Sequence, residues 1–325
     1  MKFKTPVHFG SGNSARNIDS GDMCFLADTF FSALCHSTFS VDGGKGIETL
    51  YAKTKSGSLL FSDSMPCIGE SLYIPKPAFT FKKNTQKKSG TDSADRKKLK
   101  KLQYIPIAKL THFIKSVNTG REFVADEDLQ DFGKFHISQK VKIEGSEDSE
   151  PYSVNLFSFN DNCGLYVIVA FEYEEDFEYV FNLVKNMSFS GIGGKVSSGY
   201  GKFELDGIFD SVDLSEPFGD FEILSELLNS SSADKFISLT SSLPTEDELD
   251  LVMKDASYTV TRRGGFVYSN SYGDTLMKKK TQYYFGAGSV FSSKFKGDVF
   301  DVSDSNGKHP VYRYGKPIFL GVTCR

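Results

Sequence analysis

The chain has 325 residues, 39% of them hydrophobic and 25% charged, with a formal net charge of −4. That length suits one large domain or two of about 150 residues, and the balance is that of an ordinary globular protein, not of a disordered segment. The best apolar run, Leu165–Phe171, falls far short of the ~20 residues of a membrane span, and MKFKTPVHFG lacks a secretory leader's apolar core, so a cytoplasmic protein without membrane contact is expected. The five cysteines (24, 35, 67, 163, 324) never form C-x-x-C, so neither a disulfide frame nor a thiolate zinc site is indicated.

In chain order, residues 2–9 read as an opening strand, and Asp28 is placed to cap a helix in which Phe30, Ala33 and Leu34 share a face. Residues 58–61 and 71–74 are short β candidates separated by Pro66 and Gly69. Residues 82–101 then carry nine Lys/Arg against Asp92 and Asp95, a +7 window on an acidic protein, while 122–150 hold nine Asp/Glu against three lysines. A basic stretch of this kind suits a solvated loop and equally an arm lying along a phosphate backbone. Leu165–Phe171 is apolar on both faces, as an interior strand would be. Residues 175–187 place Phe177, Val180, Phe181, Val184 and Met187 on one side, with four acids at the helix's positive end.

Strand, helix, strands, insertion, strand, helix, strand is the βαββαβ order of a ferredoxin-like, RNA-recognition-like α+β domain, assigned to 1–210 with an insertion at about 80–160. The composition changes near 211–220. Beyond it, 235–239 reads as a strand, 246–254 as a helix, and 257–268, 281–291 and 311–322 as strands of a second such domain, 211–325.

The second helix is followed by FSGIGGKVSSGYGKFEL, residues 189–205. Walker A fails here because Val196 follows Gly194-Lys195, and the dinucleotide fingerprint fails because the loop closes a helix where it should open one. What remains is a ribbon of backbone N–H groups with little side-chain bulk, flanked by Lys195 and Lys202, suited to a sugar-phosphate chain. A helix C-cap followed by a connector fits the same residues. No hydrolase or kinase motif accompanies the five histidines. His8, at the end of the first strand, is a candidate RNA contact or a general base for RNA cleavage. Tyr200 in the loop, and Tyr283 and Tyr284 after Lys278-Lys-Lys280, combine ring and cation as single-strand sites do. Arg262-Arg263-Gly264-Gly265 suggests a bulge that aims both guanidiniums to one side. Asp247 and Glu248 are expected to face solvent.

The stretches Phe3–Gly10, Ala27–Leu34, Phe61–Pro66, Tyr73–Pro77, Gly191–Gly201, Arg262–Gly265, Gly288–Phe291 and Val311–Gly315 together resemble, in order, the fourth Csm subunit of type III-A CRISPR effector complexes, a branch of the RAMP superfamily. The resemblance spans nearly the whole chain, apart from about 80–160 and 211–256. It implies a non-catalytic subunit that needs no cofactor or metal, holds the repeat-derived 5′ tag of the CRISPR RNA, and docks the large palm-domain subunit beside a neighbouring backbone RAMP subunit. By carry-over, Gly191, Gly193, Gly194, Lys195, Ser198, Gly199 and Gly201 would contact RNA. Tyr200, His8, Arg262, Arg263, Lys82 and Lys83 would extend the track, and the insertion would act as a thumb on the guide. A metal-independent repeat endoribonuclease using His8 is the alternative, and a small-nucleotide enzyme using the glycine loop is a weaker third.

Overall fold

The computed structural model describes residues 1–10, 21–80, 99, 101–120, 123, 128–142, 150–205, 212–269 and 271–324, so Lys82 and Lys83 lie outside the described residues. Those residues form a mixed α/β protein of six α-helices and several small sheets of two to four strands, all paired antiparallel.

The first helix, α1 (Ala27–Asp42), buries Ala27, Phe30, Phe31, Leu34 and Thr38, three or four residues apart on one face. Its cap is not Asp28. That carboxylate lies inside the first turn and is claimed by an arginine, while Asp63 Oδ1, from a distant segment, accepts the Ala27 amide at 2.8 Å. At Gly43 the backbone turns to φ 63°, which only glycine adopts readily, and a separate helix α2 (Gly44–Ser56) begins.

The opening strand is shorter than expected: Lys2–Phe3 pairs with Phe203–Glu204, and Phe9–Gly10 with Gly21–Asp22. The apolar run after the insertion becomes two strands, Cys163–Tyr166 beside Met65–Ile68 and Val169–Phe171 beside Leu59–Phe61. Pro66 sits within a strand without losing a ladder bond. Its partner Leu165 directs both N–H and C=O to Met1, so the Pro66–Leu165 pair is a non-hydrogen-bonded one. Ser71–Pro75 and Tyr104–Pro106 complete this sheet, and helix α3 (Leu110–Thr119) follows. Helix α4 (Glu174–Ser190) buries Val180, Leu183, Val184 and Met187 against α1, while Phe177 and Phe181 of the expected stripe stay half-buried and stack on one another. Buried Asp176 in its acidic first turn forms an ion pair with half-buried Lys53 of α2.

In the C-terminal half, Lys235–Ser238 lies between Val290–Phe291 and Phe319–Val322. Helices α5 (Asp220–Leu228) and α6 (Glu246–Val252) accompany that sheet. Glu248 does not face solvent: it closes a capping box with Thr245 and accepts the amides of Lys296 and Gly297.

The two halves share their cores. Phe30, Phe31, Phe61 and Leu165 pack with Val299 and Tyr314, and Met65, Ile74, Ile105 and Phe113 pack with Ile237, Leu239, Val290 and Leu320. Buried polar groups stitch the same seam. Asp63 Oδ2 accepts from Ser241 N at 3.0 Å and Ser241 Oγ at 2.7 Å, and the Phe61 amide donates to Tyr314 Oη at 2.9 Å. Burial pushes the Asp63 carboxyl up to about 6 despite those donors.

Candidate nucleic-acid interface

Helix α4 ends because Gly191 takes φ 92° and returns its N–H to Met187 O at 2.7 Å. Ile192 then drops into the core at 1% exposure and anchors the loop. From there the chain turns back on the N-terminal segment: the Gly194 amide donates to His8 O at 2.8 Å, Gly201 N to Pro6 O at 2.9 Å, and Lys202 N to Thr5 Oγ1 at 2.9 Å. At Gly193 a Cβ would lie 2.8 Å from His8 O and against the Phe9 ring, so a larger residue cannot sit there.

This geometry differs from a ribbon of unspent amides. The N–H groups of Gly191, Ile192, Gly194, Ser198, Gly199, Gly201 and Lys202 are committed within the protein, because backbone this close to other backbone satisfies its donors there. The side chains of the loop that reach its surface are half-buried Lys195 and Tyr200, and exposed Ser197 and Ser198. Lys195 holds a left-handed conformation, φ 62°, which non-glycine residues seldom adopt.

Lys195 and Tyr200 both meet a long hairpin, Gly133–Lys142 paired with Glu150–Phe159, that leans over the loop. Lys195 Nζ lies 3.2 Å from Tyr152 Oη and 4.5 Å from the ring centroid. Reciprocally, Lys140 Nζ lies 5.0 Å from the Tyr200 centroid and draws that phenol's pKa below its usual value. Lys140 and Tyr152 are opposite each other in the hairpin register, so one rung carries both partners. The hairpin root is tied by Val7, which exchanges both backbone bonds with Phe157, and by His8 Nδ1, 2.8 Å from Asn155 O. A carbonyl partner makes Nδ1 a protonated nitrogen, so that in the neutral ring Nε2 is the acceptor.

The other expected residues are not gathered here. Arg263 turns inward to a bidentate pair with Asp28, Nε–Oδ2 2.8 Å and Nη2–Oδ1 2.7 Å. Burial alone would raise the Asp28 pKa, but Arg263, with Arg313 and Lys279 behind it, more than offsets that and holds it below its usual value. Arg262 pairs across the strand with exposed Tyr283, so the two guanidiniums do not share a side: neighbours on a regular strand face opposite ways, and no bulge intervenes. Tyr284, 1% exposed, is core and cannot stack on a ligand.

Sequence reasoning missed Lys140, Tyr152, Asn155 and Asp63. Apolar residues at 135, 137 and 141 alternate with His136, Ser138 and Lys140, the signal of a strand, but the acidic composition of 122–150 masked it. Among the described residues, no group of three or more His, Cys, Asp or Glu is placed to hold a metal ion, and no helix is long and apolar enough to cross a membrane.

A family model described as the RAMP superfamily matches residues 1–204, and one described as the CRISPR Csm4 C-terminal domain matches 231–322. The protein named CRISPR system Cms protein Csm4 from Mycobacterium tuberculosis is 32% identical over 317 residues, 97% of this chain and 94% of its own. Its namesake from Streptococcus thermophilus is 29% identical over 97% of this chain and 95% of its own. In fold, the chain is similar to one in a Csm3–Csm4 subcomplex of the type III-A CRISPR-Cas interference complex, at TM-score 0.63 and 20% identity over 99% and 97% of the two chains. It is also similar to one in a Csm1–Csm4 cassette bound to cA4, at TM-score 0.54 and 17% identity over 99% and 95%.

Proposed function

Because the chain belongs to the RAMP superfamily and, within it, to the Csm4 family, we propose that it is a non-catalytic, CRISPR RNA-binding subunit of a type III-A interference complex. In this reading it holds the repeat-derived 5′ tag of the guide between the glycine loop and the hairpin. The observation that carries the reading is the seam in which Lys195 meets Tyr152 and Lys140 meets Tyr200. It places two cations and two rings over a rigid loop, the combination that grips phosphates and stacks bases without reading sequence. Target recognition is then left to base pairing by the guide.

The hairpin serves as the thumb. Residues 1–210 and 211–325 correspond to two ferredoxin-like units, fused by their shared cores. The solved assemblies of like fold pair a Csm4 chain with Csm3 and with Csm1, which supports a backbone RAMP subunit and the large palm-domain subunit as partners here.

The test is a titration of the purified chain with repeat-tag RNA at several salt concentrations. The expected result is salt-sensitive binding that leaves the RNA intact, weakened roughly tenfold by Lys195→Ala, a loss within the range of a charge-assisted contact. One observation favours a second reading. With Nδ1–H directed at Asn155 O, His8 Nε2 has the acceptor state of a general base beside the loop. Metal-independent cleavage abolished by His8→Ala would establish the nuclease and overturn the scaffold.

A further inference from the structure

Residues 257–285 carry five Lys/Arg against one Asp in a chain whose net charge is −4. They form a ribbon in which Val260–Arg263 pairs with Gln282–Phe285. The inner face is closed: Arg263 is bound to Asp28, Tyr284 is buried, and Arg313 Nη1 donates to the carbonyls of Arg263 and Lys280. On the outer face, Arg262 stands opposite Tyr283, which is 61% exposed. Past the bend at Gly264–Gly265, a bridge pairs Phe266 with Lys278, whose ammonium lies 5.9 Å from the Phe266 ring centroid. Tyr268, 72% exposed, stands beyond it, and Lys278 and Lys280 are exposed as well.

We propose that this outer face, Arg262, Phe266, Tyr268, Lys278, Lys280 and Tyr283, is a second contact surface for single-stranded RNA, its rings stacking on bases and its cations neutralising phosphates. The proposal rests on the RNA-binding reading above and extends it to a place the glycine loop does not reach. Two physical arguments favour RNA over a protein on this face. Lysine is depleted from protein–protein interface cores, whereas exposed rings interleaved with cations along an open strand are how single strands are held. The ribbon lies within electrostatic reach of the loop's support: Asp28 holds Arg263, Asp22 lies in the field of Arg263 and pairs with Phe9, and Gly193 rests on Phe9.

The experiment uses the full chain and a fluorescent single-stranded repeat-tag RNA, with melting temperatures confirming that each variant folds. Tyr283→Ala is expected to weaken binding by roughly fivefold to a hundredfold without changing its salt dependence, and Tyr283→Phe to restore it. Arg262→Ala with Lys278→Ala is expected to flatten the slope of log affinity against log salt by about 0.7 per cation removed. If these variants bind as the parent does while Lys195→Ala weakens binding, the ribbon proposal is overturned and the loop reading stands. If the parent binds no RNA, both fall. If the ribbon variants keep full RNA affinity but no longer bind purified large palm-domain subunit, the face belongs to a protein and the proposal is overturned.

Discussion

The glycine loop and the ribbon 257–285 both set cations beside rings, yet they are held in place by opposite means. The loop is fixed by main-chain bonds to Pro6 and His8, by the Thr5 hydroxyl and by a buried Ile192. The ribbon is fixed by charge, through the Asp28–Arg263 pair buried under its inner face. A surface built on close backbone contact fails when atoms are added, and one built on a buried ion pair fails when a charge is removed.

Three substitutions break or sharpen that contrast. The largest effect belongs to the ribbon. Asp28→Asn leaves Arg263, Arg313 and Lys279 without their shared anion, and loss of one partner of a buried pair costs about 3–5 kcal/mol. Chemical denaturation is the measurement, and a loss below about 1 kcal/mol would show that water already screens the pair. Next comes the loop. Gly201, at φ 76°, has no room for a Cβ, which would overlap the Ile192 carbonyl oxygen. Gly201→Ala is expected to cost roughly 2–4 kcal/mol and to raise exchange of the Gly194 and Gly201 amides before that of α1, as hydrogen exchange would show. The smallest effect tests the seam between the halves. Asp63→Asn keeps one acceptor oxygen for three donors, a loss of about 1–3 kcal/mol at neutral pH.

The Asp63 substitution also has a pH signature. The folded carboxyl titrates at about 6, above its ordinary 3.8, so the folded state binds the proton more readily than the unfolded one. Wild-type stability at this site therefore rises as pH falls from 7 through 6 towards 4, at up to about 1.4 kcal/mol per pH unit. The asparagine cannot titrate, so the gap between wild type and variant should widen over that window. Parallel stability curves would place the Asp63 pKa at its unfolded value.

Local patterns carried part of the fold. Helix α4 was legible because its apolar spacing and acidic start are both encoded within a few turns, and the glycine loop was legible because the helix had to end there. Asp28 was misread for the same reason. Its local setting is that of a cap, and only a residue 235 positions away draws its carboxylate elsewhere. The hairpin escaped notice because its two strands disagree: Lys140 lies on the polar side of its own strand's alternation, whereas Tyr152 lies with Val154 and Leu156 on the apolar side of its own, and nothing local says that this shared face meets the loop.

The sequence by itself determined where the chain can turn, which stripes must be buried, and that a loop of five glycines follows the helix at 174–190. Those properties depend on backbone conformation and on the transfer of nearby apolar groups from water. The tertiary structure alone decided which donors were spent, which arginine was buried and which ring was left outside. Hydrogen bonds and ion pairs are settled between residues brought together from distant parts of the chain, and the free energy of each depends on whether its partner arrives.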